Sequence, residues 1–298
     1  MWGGRRLESE FHKKLPPQKR IGESWEVVDR SEAQSVVACG PLCGRTLHEL
    51  WTEDREQIFG DVPNTPRFPL LIKILDAQEK LSLQVHPPEN IASRLGGEPK
   101  SEFWYVAAAD PNAELFLGFR EPITRDSFGE RLREGTLVDH VHRVAVRAGD
   151  AVFLPAGRMH AIGSGNLIIE IQQNSDTTYR AFDWDRTNPE TGMKRDLHVQ
   201  QAIQSIDFDD VQPQLIQSEG ELLISDRLFE IRKWNLDEAR EAAPLGQFAI
   251  VCCLTGNLSC GDAALTPGEF FIVPAHIQNR QLKPLAPDTT LLRVTIPV

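Results

Sequence analysis

The sequence predicts a mainly β protein of two barrel-like units with short helices at the periphery, and three observations predict it. Short apolar runs follow one another along the chain with Gly, Pro, Asn or Asp between them, the pattern of an antiparallel sandwich or barrel. Segments with apolar residues at three- and four-residue intervals are few. One turn, strand and stop pattern occurs twice: "RAGDAVFLPAGRMHAI" at 147–162 and "TPGEFFIVPAHIQNRQ" at 266–281 both read Gly, acid, a mostly apolar stretch, Pro, Ala. Such an echo implies a duplicated unit.

In chain order, "SWEVVD", "QSVVAC", "PLLIKILDA" and "KLSLQVH" read as strands in the first third, with "TLHELWTEDRE" as a helix before the third of them. "ENIASRL" is a short helix after the Pro87-Pro88 stop. "EFWYVAAA" and "ELFLGF" return to strand, "TRDSFGERLREG" is helical, and "HRVAVRA", "AVFLPA" and "LIIEIQQ" are strands. "HVQQAIQSI" is the last helix, and "LFEIRKW", "FAIVCCLTG", "EFFIVPA" and "TLLRVTI" are strands of the second unit. We expect a first unit at 1–214 and a second at 215–298.

The 298 residues are 41% apolar, enough for a sizeable core, and carry a net charge of −11. That charge argues against a nucleic-acid surface, which needs clustered Lys and Arg. A small anionic substrate then requires a local positive pocket. No run approaches the roughly 18 apolar residues of a membrane span, and "MWGGRRLESEFHKK" lacks the apolar stretch of a secretory signal. The expected compartment is the cytoplasm, with no membrane partner. Cys39, Cys43, Cys252, Cys253 and Cys260 form no disulfide framework and read as small buried apolar residues.

Within "LSLQVH", Ser82, Gln84 and His86 share one parity and Leu81, Leu83 and Val85 the other, so a strand here turns hydroxyl, amide and imidazole to one face. Downstream, Gly149, Pro155, Gly157 and His160 have the spacing of the second sequence motif of the cupin barrel. This similarity refines the fold class to two cupin-type β-barrel (jelly-roll) units. Gln84, His86, Glu102 and His160 then make four N/O ligands, a set that suits zinc; Mn, Fe and Co accept the same ligand types. Aligning the echo places Asn279 opposite His160, so the second unit is expected to be degenerate and without metal. His140 and His142 in "DHVHRVAV" imitate an HxH pair, but no Glu follows them until Glu170, and they read as loop or strand-edge residues.

"WGG", "IGESWEV", "FPLLIKILDAQEKLSLQVHP", "KSEFWYV", "PAGRMHAIG" and "IQQNSDTTYRAFDWDR", in this order, make the sequence resemble the type I mannose-6-phosphate isomerases in their short bacterial form. The resemblance implies reversible conversion of mannose 6-phosphate and fructose 6-phosphate at one zinc per chain, with Gln84, His86, Glu102 and His160 as ligands. It also implies Lys73 and Lys100 as active-site lysines, and Asp176 and Arg180 as the acidic and basic residues of "SDTTYR". Pro88 stands where the family often has Asp, away from the proposed ligands.

An aldose to ketose shift needs an opened ring, a proton taken beside the carbonyl and a stabilised cis-enediolate. One carboxylate and three neutral ligands leave zinc at net +1, a competent Lewis acid for the enediolate oxygens. Arg180, permanently charged, is assigned to the developing oxyanion. Lys73, Lys100 and Ser82 are assigned to substrate binding; Lys100, Asp176 or a metal-bound water takes the carbon-bound proton. Two readings from other classes are an iron-dependent cupin dioxygenase, against which Gln84 counts, and a sugar-binding cupin without catalysis. Oligomeric state and pathway are not legible.

Overall fold

The computed structural model describes residues 2–187, 191–218 and 220–297. Along the chain run β1 (Glu23–Val27), a small ladder of β2 (Asp29–Arg30) and β3 (Ala33–Gln34), β4 (Leu70–Ala77), β5 (Leu83–Val85), β6 (Glu102–Ala109) and β7 (Glu114–Phe119). Then come β8 (Val141–Ala145), β9 (Ala151–Leu154), β10 (His160–Ile162), β11 (Asn166–Gln173) and β12 (Tyr179–Phe182). The second series is β13 (Leu222–Ser225), β14 (Glu230–Asn235), β15 (Arg240–Glu241), β16 (Ala249–Thr255), β17 (Leu258–Cys260), β18 (Ala263–Leu265), β19 (Phe270–Val273), β20 (Gln281–Pro284) and β21 (Thr290–Thr295).

These strands confirm the mainly β reading and the duplication. The first series forms sheets ordered β1-β4-β11-β6-β9 and β12-β5-β10-β7-β8; the second forms β13-β14-β21-β16-β19 and β15-β20-β17-β18. Strands β4 to β11 therefore recur as β14 to β21 in the same order, except that β12, which flanks β5, has no counterpart beside β15. The echoed segments are β9 and β19, at the end of the first sheet in each series. Their shared glycines open the turn before the strand: Gly149 has φ 96° and Gly268 φ 80°, a region that a Cβ disfavours.

The chain forms two compact units. One comprises the residues up to Arg5 with Pro17–Ser24 and Ile74–Leu215; the other comprises Arg6–Pro16, Trp25–Lys73 and the residues from Ile216 on. Within this second unit Trp51, Phe59, Phe68 and Phe248 form an aromatic cluster, with Trp51 edge-on to Phe59 at 5.0 Å and to Phe68 at 5.4 Å. Trp51 is delivered by the helix Leu47–Glu53, which starts at a Thr46–Glu49 capping box.

In the first unit the alternation of side chains separates two faces. Leu83, Val85, Phe116, Met159, Ala161, Tyr179 and Ala181 pack outward against Phe128 and Ala202. Those two residues lie on the helices Arg125–Glu134 and Val199–Ser205. The opposite parity turns inward, where Trp104, Val106, Leu115, Leu117, Val152, Leu154, Ile162 and Ile168 fill the interior. Gln84, His160 and Arg180 share that inward parity.

Two expectations are corrected. "QSVVAC" is mostly loop: beyond β3 it contributes only an isolated bridge between Val36 and Thr46, and Val36 is 55% exposed, because no sheet covers it. Cys39 and Cys43 are exposed in this loop and Cys260 is partly exposed, so only Cys252 and Cys253 behave as core residues. Burial raises the Cys253 thiol pKa to about 12, which keeps it protonated and inert. Short strands such as β10, β12, β17 and β20 were too brief to show alternation. No helix among the described residues is long and apolar enough to cross a membrane.

Candidate metal centre

Strand register builds the site. In the β12-β5-β10 ladder, Gln84 is opposite Arg180 on one side and His160 on the other. Directly opposed residues of antiparallel strands point the same way, so amide, imidazole and guanidinium share one face. His86 follows just past the end of β5. Glu102 comes from the other sheet, opposite Gln172 of β11 and Leu154 of β9.

His86, Glu102 and His160 converge, with one potential ligand atom from each lying within 4.8 Å of the others. His86 Nε2 is 3.1 Å from one Glu102 oxygen and His160 Nε2 is 3.7 Å from the other. Each ring is oriented from behind: His86 Nδ1 lies 2.8 Å from the Thr177 carbonyl and His160 Nδ1 2.9 Å from the Arg158 carbonyl. A carbonyl only accepts, so each Nδ1 carries the proton and each Nε2 presents its lone pair inward, the form in which imidazole binds a metal. The Trp104 ring stands edge-on to His160 at 5.3 Å.

The electrostatics agree. Burial, with the His86 ring beside it, lowers the His160 pKa to about 3, and burial with the Lys100 ammonium nearby lowers that of His86, so both imidazoles are neutral at physiological pH. Burial opposes the Glu102 charge, but Lys100, whose Nζ is 2.9 Å from Oε1, together with the His86 and His160 rings outweighs it and holds the carboxyl well below its usual range. His86 Nε2 and both Glu102 oxygens are buried yet complete no well-aligned hydrogen bond among the described residues. Buried polar atoms are normally satisfied. Three such atoms facing one point fit a divalent cation, and neutral imidazoles with one carboxylate are a donor set that zinc accepts.

Gln84 borders the cluster with its amide Nε2 3.4 Å from His160 Nε2 and its Oε1 3.4 Å from the Ser82 hydroxyl. To act as a ligand the amide turns over, which exchanges two atoms of nearly equal size. Lys100 is joined to the cluster through Glu102. Burial opposes its charge, and the nearby carboxylates of Glu102, Glu170 and Asp176 outweigh it, raising its pKa. Arg180 is half-buried, with Nε fully enclosed and no hydrogen-bond partner among the described residues. Asp176 is exposed in the segment joining β11 to β12. Lys73 is buried on β4 within the second compact unit, its ammonium 4.5 Å from the Trp25 ring. His140 closes a short helical turn and bonds Glu121, and His142 lies on the edge strand β8, as expected of decoys.

Three contributors were missed in the sequence. The Thr177 and Arg158 carbonyls left no signal, since backbone groups carry no sequence identity. Glu170 did: Glu170 and Gln172 share one parity of β11, as Gln84 and His86 do at β5. Glu170 is buried and accepts a 2.7 Å hydrogen bond from the Trp104 indole.

Comparison with known proteins agrees with this geometry. The family model for the type I phosphomannose isomerase catalytic domain matches residues 1–117. The probable mannose-6-phosphate isomerase GmuF of Bacillus subtilis is 36% identical over 294 residues, covering 93% of this chain and 90% of its own length. The crystal structure of the mannose 6-phosphate isomerase from Bacillus subtilis superposes with a TM-score of 0.86 at 31% identity, over 99% of this chain and 96% of that one. A mannose 6-phosphate isomerase bound with zinc and yttrium shares the fold, with a TM-score of 0.73 at 17% identity over 100% of this chain and 96% of that one. An inward-facing His-Glu-His cluster in a duplicated barrel, joined to this similarity over nearly the full length, places the chain in the type I mannose-6-phosphate isomerase family.

Proposed function

We propose that the chain interconverts mannose 6-phosphate and fructose 6-phosphate through a cis-enediolate, with one zinc held by Gln84, His86, Glu102 and His160. The observation that carries this reading is the His86 Nε2 lone pair and the Glu102 carboxylate, without completed hydrogen bonds, converging with His160 Nε2 on one point. When bound, the metal supplies Lewis-acid stabilisation of neighbouring substrate oxygens. The chain supplies the rest.

Arg180, enclosed at Nε and opposite Gln84, offers a planar donor fork to the oxyanion that develops at the sugar carbonyl. The carbon-bound proton is taken by Lys100, Asp176 or a metal-bound water. Lys100 holds positive charge beside Glu102 and, with Ser82 and Lys73, contacts the substrate. In this reading residues 1–214 carry catalysis and 215–298 carry no metal. Free thiols at the exposed Cys39 and Cys43 support a reducing, cytoplasmic setting.

A coupled assay for fructose 6-phosphate formed from mannose 6-phosphate tests the activity, and absence of turnover in metal-loaded protein contradicts it. For Arg180, R180A is expected to cut kcat about 10²- to 10³-fold, the loss typical of one oxyanion donor, with folding and metal content kept. R180K recovers part of this, since a point charge does not span two oxygens as the fork does. A large rise in substrate Kd at unchanged kcat moves Arg180 to the phosphate.

A further inference from the structure

We infer that His198 is a positioning residue that locks the backbone of Arg180, and through it the guanidinium, against the metal site. This rests on the reading of Arg180 given above. Strand β12 is the edge of its sheet, paired with β5 on one side only. At an edge, alternate residues leave their N–H and C=O groups unpaired. At Arg180 both are taken by one residue: its N–H donates to His198 Nδ1 at 3.3 Å, and its carbonyl accepts from the His198 N–H at 2.8 Å. Because these groups point outward, Arg180 and Gln84 form the non-hydrogen-bonded kind of antiparallel pair, in which opposed side chains sit closest.

Strand β5 alone does not fix this position. The β12-β5 register shifts between Arg180 and Phe182, so just beyond Arg180 the ladder is broken. His198 is itself anchored, because it immediately precedes the helix Val199–Ser205, whose Ala202 is fully buried in the same apolar cluster as Tyr179 and Ala181. The Tyr179 ring lies 6.1 Å from the His198 ring. The helix thus holds His198, His198 holds the Arg180 backbone, and the guanidinium is carried on that backbone. A small shift of a charge-stabilising group is enough to cost about two orders of magnitude in rate.

The acceptor Nδ1 lies two bonds from Cβ. Asn places its Oδ1 at the same remove, whereas Gln carries its amide one carbon further out. H198A and H198Q are therefore expected to lower kcat by about tenfold or more, with KM and metal content close to wild type, and H198N to restore most of the loss. Thermal unfolding of all three variants separates this from lost stability: H198N and H198Q are expected to unfold at similar temperatures while differing in kcat. In an R180A background, H198Q is expected to add little, since the group it positions is gone. The inference is overturned if R180A impairs turnover while H198A and H198Q do not, if H198N is no better than H198Q, or if H198Q causes its full loss in the R180A background. An R180A variant with wild-type kcat overturns instead the reading of Arg180 on which it stands.

Discussion

The two strand series share one topology and part at a few side chains. Glu102 is opposite Leu154 across β6 and β9; in the second series Ala249 is opposite Val273 across β16 and β19. Leu154 and Val273 are equivalent in the echo, so alanine occupies the position of the Glu102 carboxylate. Asn279, equivalent to His160, is exposed beside β20, and β15 carries Arg240 and Glu241 where β5 carries Gln84. Ala249 packs with Val251, Cys253, Leu258, Val273, Leu282 and Leu291 in an apolar core. The same fold thus carries either a converging His-Glu-His cluster or plain apolar packing, and inward side chains decide which.

The comparison breaks most visibly in the first series. H86A and H160A are each expected to abolish measurable turnover, because three ligands of four hold an ion poorly. Steady-state kinetics at saturating substrate checks this; wild-type kcat in either variant removes that histidine from the site. The second series is probed in reverse. A249E puts a carboxylate into this apolar core and is expected to destabilise by about 3–5 kcal/mol, as an unpaired buried charge does. Denaturant unfolding measures it, and a neutral result shows that this core holds a partner for the charge.

Much of this contrast was legible beforehand. Parity alone singled out Gln84 and His86, because a polar face inside an apolar strand has no packing purpose, and the Gly-Pro-Gly-His spacing located His160. Glu102 was placed only through the resemblance, since its approach depends on a sheet crossing that sequence distance hides. The Ala249 equivalence needed register, as β6 and β16 share no obvious residues. His198 was passed over because its partners are backbone groups of a strand too short to read. The exposed loop at Cys39 and Cys43 misled, as its apolar residues have the composition of a strand but no neighbour to bury them.

A smaller effect sharpens the comparison through pH. His160 is neutral in the fold because burial lowers its pKa from 6.5 to about 3. The unfolded chain binds the proton first, so the stability tied to the neutral ring is whole above pH 6.5 and is lost as pH falls toward 3. The lowered Glu102 carboxyl gives a loss of the same sign. Metal-free protein is expected to melt at progressively lower temperature across that window. H160F, which keeps an aromatic ring without the titrating nitrogen, is expected to show a shallower slope; an unchanged slope contradicts the assignment.

The central claim is that one barrel of the two holds the metal, and metal analysis of purified protein tests it most directly. The account predicts one tightly bound ion per chain in wild type, with A249 and Asn279 variants unchanged in content and H86A and H160A empty. Two stoichiometric ions per chain, or full occupancy in both histidine variants, would contradict it.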